Sequence, residues 1–333
     1  MSEERLDRLR DLLTAHDVGA LVLSRSSDLR YLVGATPPGC LVITPDGPPV
    51  HVGAVHGDVC SLIPAGARVA VDPRMPADEL LALQERLGPG TPLVSAAPLL
   101  APLRIRKSAE EIELMERAAI AADRALTAAR AFTWSGSTER EVARRLHTLL
   151  LDSGHDEVTF VTVAAGENSA DPHHRPAGRV INPGDAVLVN VGGRCGGYCS
   201  DTARMFAVAE PPEDFEAMYS VVLAAQTAAC EAVRPGVAAA EIDTIARDVI
   251  IESGYGAFIA HRTGHGIGLD QYEPPYLTPE EDTILDAGMT MSIEPGIYLP
   301  ELYGARIEDV VVCTDIGARR LNQTPRLLDV VDL

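Results

Sequence analysis

Two periods of apolar spacing alternate along the chain, one near 3.6 residues and one near 2, and the switches between them mark out its elements. Residues Glu3 to Ala15 carry apolar positions at helical spacing and lead into "ALVLS" (20–24), a short apolar run of strand type. "CLVITPDGPPVHVGAV" (40–55) reads as a hairpin, with Pro45, Asp46 and Gly47 supplying the turn. "ARVAVDP" (67–73) is a further strand and "PADELLALQERLG" (76–88) a further helix. This alternation predicts an N-terminal α/β domain over 1–105, without a catalytic constellation of its own. The proline-studded "SAAPLLAPLRIRKS" (95–108) marks its boundary with a second domain, 106–333.

Past the boundary, Ser108 and Glu111 form a capping box, which satisfies free backbone amides at a helix start. Ile112, Met115, Ala119, Ala122 and Leu126 follow at helical spacing. An internal repeat comes next. "GSTEREVARRLHTLLLDSG" (136–154) and "GVAAAEIDTIARDVIIESG" (236–254) align without gaps, sharing Gly136/Gly236 and Glu141/Glu241. The "TAA" triplets at 127–129 and 227–229 keep the same offset. Strand-like segments continue the repeat at a slightly longer offset, placing Asn190 opposite Glu294 and Asp201 opposite Glu308. Two helix–helix–strand–strand halves would pack about an approximate twofold axis and join their strands into one curved antiparallel sheet. Each half then aims polar side chains at one central place. Acids that share a dry centre need cations to neutralise them, so the repeat by itself points to a metal site.

Composition narrows the function classes. Aromatic residues make up only 4% of the chain, so its cores must be built from Ala, Val, Leu and Ile. A formal net charge of −20 argues against nucleic acid or an anionic membrane as partner, since both attract basic surfaces. The charged start "MSEERLDRLR" lacks a signal-peptide core, and no apolar run approaches the roughly 20 residues that span a bilayer. Six cysteines (Cys40, Cys60, Cys195, Cys199, Cys230, Cys313) lack framework spacing, and Cys195/Cys199 has no second pair to complete a zinc site. A reduced, cytoplasmic protein is expected.

Asp201, Glu294 and Glu308 sit in mostly apolar surroundings, where an unpaired carboxylate is costly. "HRTGHGIGL" (261–269) has the wrong glycine spacing for a phosphate loop. It suits a metal-ligand loop, in which glycines let the backbone approach while His265 offers a ring nitrogen, with His261 four residues earlier. The alternative is a capped turn holding a structural histidine. "DPHHRP" (171–176) places His173 and His174 on a proline-bounded loop, where histidines are often merely exposed.

These blocks together resemble the pita-bread metallopeptidases, and within them the Xaa-Pro peptidases (prolidase and aminopeptidase P) and their creatinase-like cousins. "RLDRLRDLLTAHDVGALVLSRSSDLRYLVG" (5–34) is similar to the family's N-terminal domain, and "RIRKSAEEIELMERAAIAADRAL" (104–126) to its domain junction. "DPHHRP", "GYCSDTARMF", "HRTGHGIGL", "SIEPGIY" and "GARIEDVVV" resemble its active-site blocks in order and spacing. The resemblance implies a two-domain α/β architecture: a creatinase-like α/β domain, then an α+β pita-bread domain with its pseudo-twofold repeat. It implies Asp201, His265, Glu294 and Glu308 as metal ligands, with His173, His261 and Arg306 at further active-site positions. Two divalent ions hold the water that attacks an amide carbon in that family. Manganese, cobalt, iron and zinc all suit such oxygen-rich ligation.

Two positions depart from the family pattern. Asn190 stands where the family has its first aspartate ligand, 11 residues before Asp201. Tyr272 stands where a histidine is expected, seven residues after His265. The first removes a charge from one of two metals; the second replaces a cation with a neutral hydroxyl donor. The expectation is a hydrolase of a small peptide-like C–N bond, Xaa-Pro dipeptidase-like, acting on a dipeptide-like or other small substrate. One tight metal is expected with a second weak or absent, in a homodimer. The rivals are a creatinase-like hydrolase or lyase using His173 as base without metal, and a non-catalytic binding or scaffold homologue.

Overall fold

The computed structural model describes residues 3–53 and 58–332. The chain divides into two compact units, Met1–Arg104 and Ile105–Leu333. In the first unit, α1 (Glu3–Ala15) precedes β1 (Ala20–Leu23), α2 (Ser27–Val33), β2 (Cys40–Ile43) and β3 (Val50–Val52). Then come β4 (Val69–Val71), α3 (Ala77–Leu87), β5 (Leu93–Ser95) and α4 (Ala97–Arg104). Strands β2 and β3 pair antiparallel, forming the hairpin expected at 40–55, whose residues 54 and 55 lie outside the described residues. The sheet order is β3-β2-β1-β4-β5, and β1 runs antiparallel to β2 but parallel to β4. All four residues of β1 are buried, which suits an unbroken apolar run.

Part of the segment that its prolines marked as a boundary is helical. Pro98 falls in the first turn of α4, where its missing N–H costs nothing, and only Pro102 lies deeper. Burial of Leu99, Leu100 and Leu103 offsets that loss. The buried Arg104–Asp28 pair, at 2.5 Å, ties the helix end to α2.

The second unit opens with α5 (Ala109–Ala129), whose N-terminus carries the Ser108–Glu111 capping box, followed by α6 (Glu139–Asp152). Strands β6 (Glu157–Ala165), β7 (Ala186–Cys195) and β8 (Tyr198–Val208) form an antiparallel set. The second half repeats the order with α7 (Phe215–Ala232), α8 (Ala239–Glu252), β9 (Gly264–Gly266), β10 (Glu273–Leu277) and β11 (Thr290–Ile293). It ends in β12 (Gly296–Leu299), β13 (Tyr303–Arg306), β14 (Asp309–Thr314), β15 (Gly317–Arg320) and β16 (Asp329–Val331). Among the described residues, no helix is long and apolar enough to cross a membrane.

The single antiparallel sheet expected from the repeat is not what forms. Two larger sheets form, β16-β8-β7-β6 and β10-β9-β11-β14-β15, beside a two-stranded β12-β13 sheet, and β16 lies parallel to β8. An isolated bridge, Ala203 to Glu308, spans the seam between them. The ladder stops there because the buried Arg204 guanidinium takes the carbonyls of Ala203 (2.8 Å) and Glu308 (2.7 Å). It also donates to Asp309 at 2.6 Å and to the carbonyls of Thr324 and Pro325.

Period-2 alternation decides what each strand shows to each side. Val187, Val189 and Val191 of β7 pack with α5 and α6 residues, around Trp134 stacked on Phe206 at 4.7 Å. Ala186 and Leu188, with Ala203 and Met205 of β8, join the other core with α7 and α8. Asn190 continues this second face, and so does Asp201, across a register that pairs Asn190 with Ala203 and Gly192 with Asp201.

Candidate metal centre

Strand ends from both halves converge where the two sheets meet. Asp201 comes from β8, Glu294 from the residue after β11, and Glu308 from the residue before β14. His265 comes from the middle of β9. One ligand-type atom from each of Asp201, His265 and Glu308 lies within 4.8 Å of the others. All three residues are buried, Glu308 completely.

Glycine makes His265's position possible. A Cβ on Gly264 would come within 2.0 Å of the Ser292 carbonyl, and one on Gly266 within 2.4 Å of the Glu273 and Pro274 carbonyls. The close backbone approach expected of "HRTGHGIGL" is therefore present. The His265 amide donates to Ser292 Oγ, and its Nδ1 lies 3.0 Å from the Gly266 carbonyl. Its Nε2 is thereby turned to the acids, 3.3 Å from Glu294 Oε1 and 3.7 Å from Asp201 Oδ2.

The acids are not equivalent. Burial opposes ionisation of Glu294, yet the hydrogen bond and charge of His265, with the Arg306 charge, hold it at about 2. Burial, then repulsion from Asp201 and Glu294, pushes Glu308 well above the usual carboxylate range. Burial raises Asp201 as well, against the pull of His265. Asp201 Oδ1, both Glu308 carboxylate oxygens and Asn190 Oδ1 are buried without a hydrogen-bond partner. Buried oxygens in that state are costly to leave bare. A divalent cation fits them: the donor set is oxygen-rich with one imidazole, and its repulsion is what a cation relieves.

The centre opens into a cavity of about 810 Å³ whose lining includes His173, Asn190, His261, Tyr272, Glu294 and Arg306. His261 Nδ1 lies 2.7 Å from the Arg262 carbonyl, so its Nε2 accepts from the Tyr298 hydroxyl at 2.7 Å. Burial lowers its pKa and keeps the ring neutral. Arg306 lies 3.7 Å from Glu294 Oε2. Tyr272 is 56% exposed, enough to meet a ligand, and its ring centroid is 4.4 Å from that of His265. Burial of its hydroxyl and the nearby Asp201 and Glu294 push the phenol up to about 12, so it keeps its proton. Every site residue named from the sequence is thus found in or beside this one centre.

Several supports were not visible in the sequence. Fully buried Glu139, the first residue of α6, accepts from the Ala165 and Ala177 amides and from Asn168, and lies 2.8 Å from His174 Nε2. It fixes the "DPHHRP" loop and turns His174, unlike His173, into an anchor. In the other half, Asp243 of α8 accepts from the Thr263 amide and pairs with Arg247, which donates to the His261 carbonyl. A helix acid therefore grips a site loop in each half. The signal in the sequence was weak: single acids on helices whose other acids face solvent.

The model of metallopeptidase family M24 matches residues 113–315, which contain every ligand-type residue of the centre. The chain belongs to this family. A Mycobacterium tuberculosis protein named "Probable dipeptidase PepE" is 42% identical over 316 residues, covering 95% of this chain and 80% of the relative. The Xaa-Pro dipeptidase of Pyrococcus horikoshii is 32% identical, with 98% of each chain covered. Among solved structures, dipeptidase PepE from Mycobacterium ulcerans superposes with a TM-score of 0.92 at 37% identity, covering 98% of this chain and 97% of the other. The recombinant prolidase of Thermococcus sibiricus gives 0.94 at 30% identity, covering 99% and 100%. The M24 chain is accordingly an enzyme of peptidase type, and its fold is the two-domain pita-bread fold of these neighbours.

Proposed function

We propose that this M24 enzyme is a metal-dependent dipeptidase of Xaa-Pro type whose centre holds one divalent ion tightly and a second weakly or not at all. The observation that carries this reading is the set of buried, unpartnered carboxylate oxygens of Asp201 and Glu308 beside His265. Asp201, His265, Glu294 and Glu308 would hold the tight ion. Asn190 offers a neutral amide oxygen where a second ion would want a carboxylate. The names of the PepE and Xaa-Pro dipeptidase relatives favour a dipeptide as substrate.

A divalent ion bound there supplies Lewis-acid chemistry, activating water and polarising an amide carbonyl. The chain's own groups do the rest. Tyr272, protonated at neutral pH and exposed to the cavity, donates a hydrogen bond to the oxygen on which charge develops. Arg306 faces Glu294 and keeps its carboxylate ionised and oriented. His261, neutral and anchored at both nitrogens, presents a fixed wall, and His173 contacts the substrate from the opposite loop.

The test is a metal count beside an assay. Protein loaded with manganese and desalted should retain about one ion per chain. It should hydrolyse Xaa-Pro dipeptides faster with added manganese and lose that activity on chelation. Two tightly held ions would overturn the weakened-site reading. Activity that survives exhaustive chelation would overturn the metal-dependent reading and favour the creatinase-like chemistry.

A further inference from the structure

Gln271, in the loop that precedes β10, stands apart from the residues the sequence singled out. Its Nε2 donates to Asp201 Oδ2 at 2.7 Å and to the Ser200 carbonyl at 3.2 Å. Both partners are acceptors, so the amide can sit only one way round, with nitrogen towards Asp201. Its Oε1 is then left buried with no hydrogen-bond partner. A glutamine present only for packing or loop closure would avoid the cost of a buried unsatisfied oxygen. The loop has other anchors in any case. Glu273 accepts from the Asp270 amide and forms a buried pair with Lys107 at 2.7 Å.

We infer that Gln271 is a positioning residue for the metal centre, holding the Asp201 carboxylate by Oδ2, the oxygen 3.7 Å from His265 Nε2, while Oδ1 stays without a protein partner. The inference rests on the reading of Asp201 as a ligand and concerns what holds that ligand in place. A carboxylate free to rotate would lose orientational entropy each time an ion bound; one already held by a charge-assisted N–H bond does not. The need is greater here than in a site with a full set of acids. Asn190 contributes no charge, so Asp201 is the one carboxylate that the first half brings to the centre. Gln271 has no proton to exchange, so its effect is one of geometry.

The experiment is calorimetric titration of chelator-stripped protein with Mn²⁺, comparing wild type, Gln271→Met and Asp201→Asn. The methionine keeps the volume and removes the donor. Gln271→Met should bind Mn²⁺ roughly 10- to 100-fold more weakly, the usual cost of losing a partner of a ligand. Its apoprotein should melt as wild type does, a readout that separates ligand positioning from loop support. Asp201→Asn should show no binding. Unchanged affinity in Gln271→Met beside lost binding in Asp201→Asn would overturn the inference and leave the ligand set standing. A fall in affinity matched by a fall in apoprotein melting would also overturn it, because Gln271 would then be structural. Undiminished binding in Asp201→Asn would overturn the ligand set itself, and the inference with it. Should Gln271→Met not fold, Gln271→Asn, one methylene too short to reach, carries the same comparison.

Discussion

The first half of the repeat brings Asn190 and Asp201 to the centre, and the second brings Glu294 and Glu308. Glu294 is heavily engaged, by His265, Arg306 and the Ser292 hydroxyl. Asn190 Oδ1 has no hydrogen-bond partner. The helix that opens each strand set differs too. Helix α6 begins with a complete Thr138–Glu141 capping box, whereas α8 begins at Ala238 with no side-chain cap. Yet both cap residues bridge to the same kind of partner, Thr138 to Val180 and Ala238 to Ile284. Backbone pairing and loop grips thus preserve the duplicated architecture. Side chains at the strand ends and caps are free to diverge within it.

Four substitutions at three places test this contrast. The largest effect is expected at the seam. Arg204, from the first half, is paired with Asp309 of the second in full burial, so Arg204→Ala leaves Asp309 only the partly exposed Arg320 and the Gln226 amide, and strips the carbonyls of Glu308, Thr324 and Pro325 of their donor. It should cost about 3–5 kcal/mol in urea denaturation. A loss under about 1 kcal/mol, the worth of an exposed pair, would mean the halves do not depend on this tie.

Next, Asn190→Asp restores the charge symmetry of the two halves. Manganese retained per chain should rise from about one to about two, and the second ion should bind at least about tenfold tighter, about 1.4 kcal/mol. An unchanged count would show that the asymmetry of the acids has no bearing on metal number.

The smallest effect is at the caps. Ala238 already has the extended backbone of an N-cap residue, and Glu241 stands three residues on. Ala238→Thr should add about 0.5–1 kcal/mol, and Thr138→Ala should remove about 1 kcal/mol. Thermal melting of both variants checks the pair, and equal, opposite shifts would make the two helices energetically interchangeable.

Much of the fold was legible because it is written in local period and in repetition. The helices at 3–15 and 76–88, the hairpin begun at Cys40 and the Ser108 capping box all rest on neighbours a few residues apart. The gathering of Asp201, His265, Glu294 and Glu308 was legible through the repeat and the family blocks. The break between the two sheets was not, because Arg204 causes it by reaching carbonyls more than a hundred residues away. The helix over Ala97–Arg104 was not legible behind Pro98 and Pro102, since tertiary burial of three leucines outweighs their helix-breaking tendency. Glu139, Asp243 and Gln271 escaped because an acid or amide reads the same on a solvated face as on a buried loop. Only the folded chain shows what each one holds.

The aromatic stack in the first half has a practical consequence. Trp134 is the single tryptophan of the chain, fully buried and stacked on Phe206. Phe206 belongs to β8, the strand that delivers Asp201, and the second half has no indole to blur the signal. The protein therefore carries its own optical reporter. Emission excited at the indole band reads the environment of one half alone, and needs no label to follow how that strand responds when the centre fills.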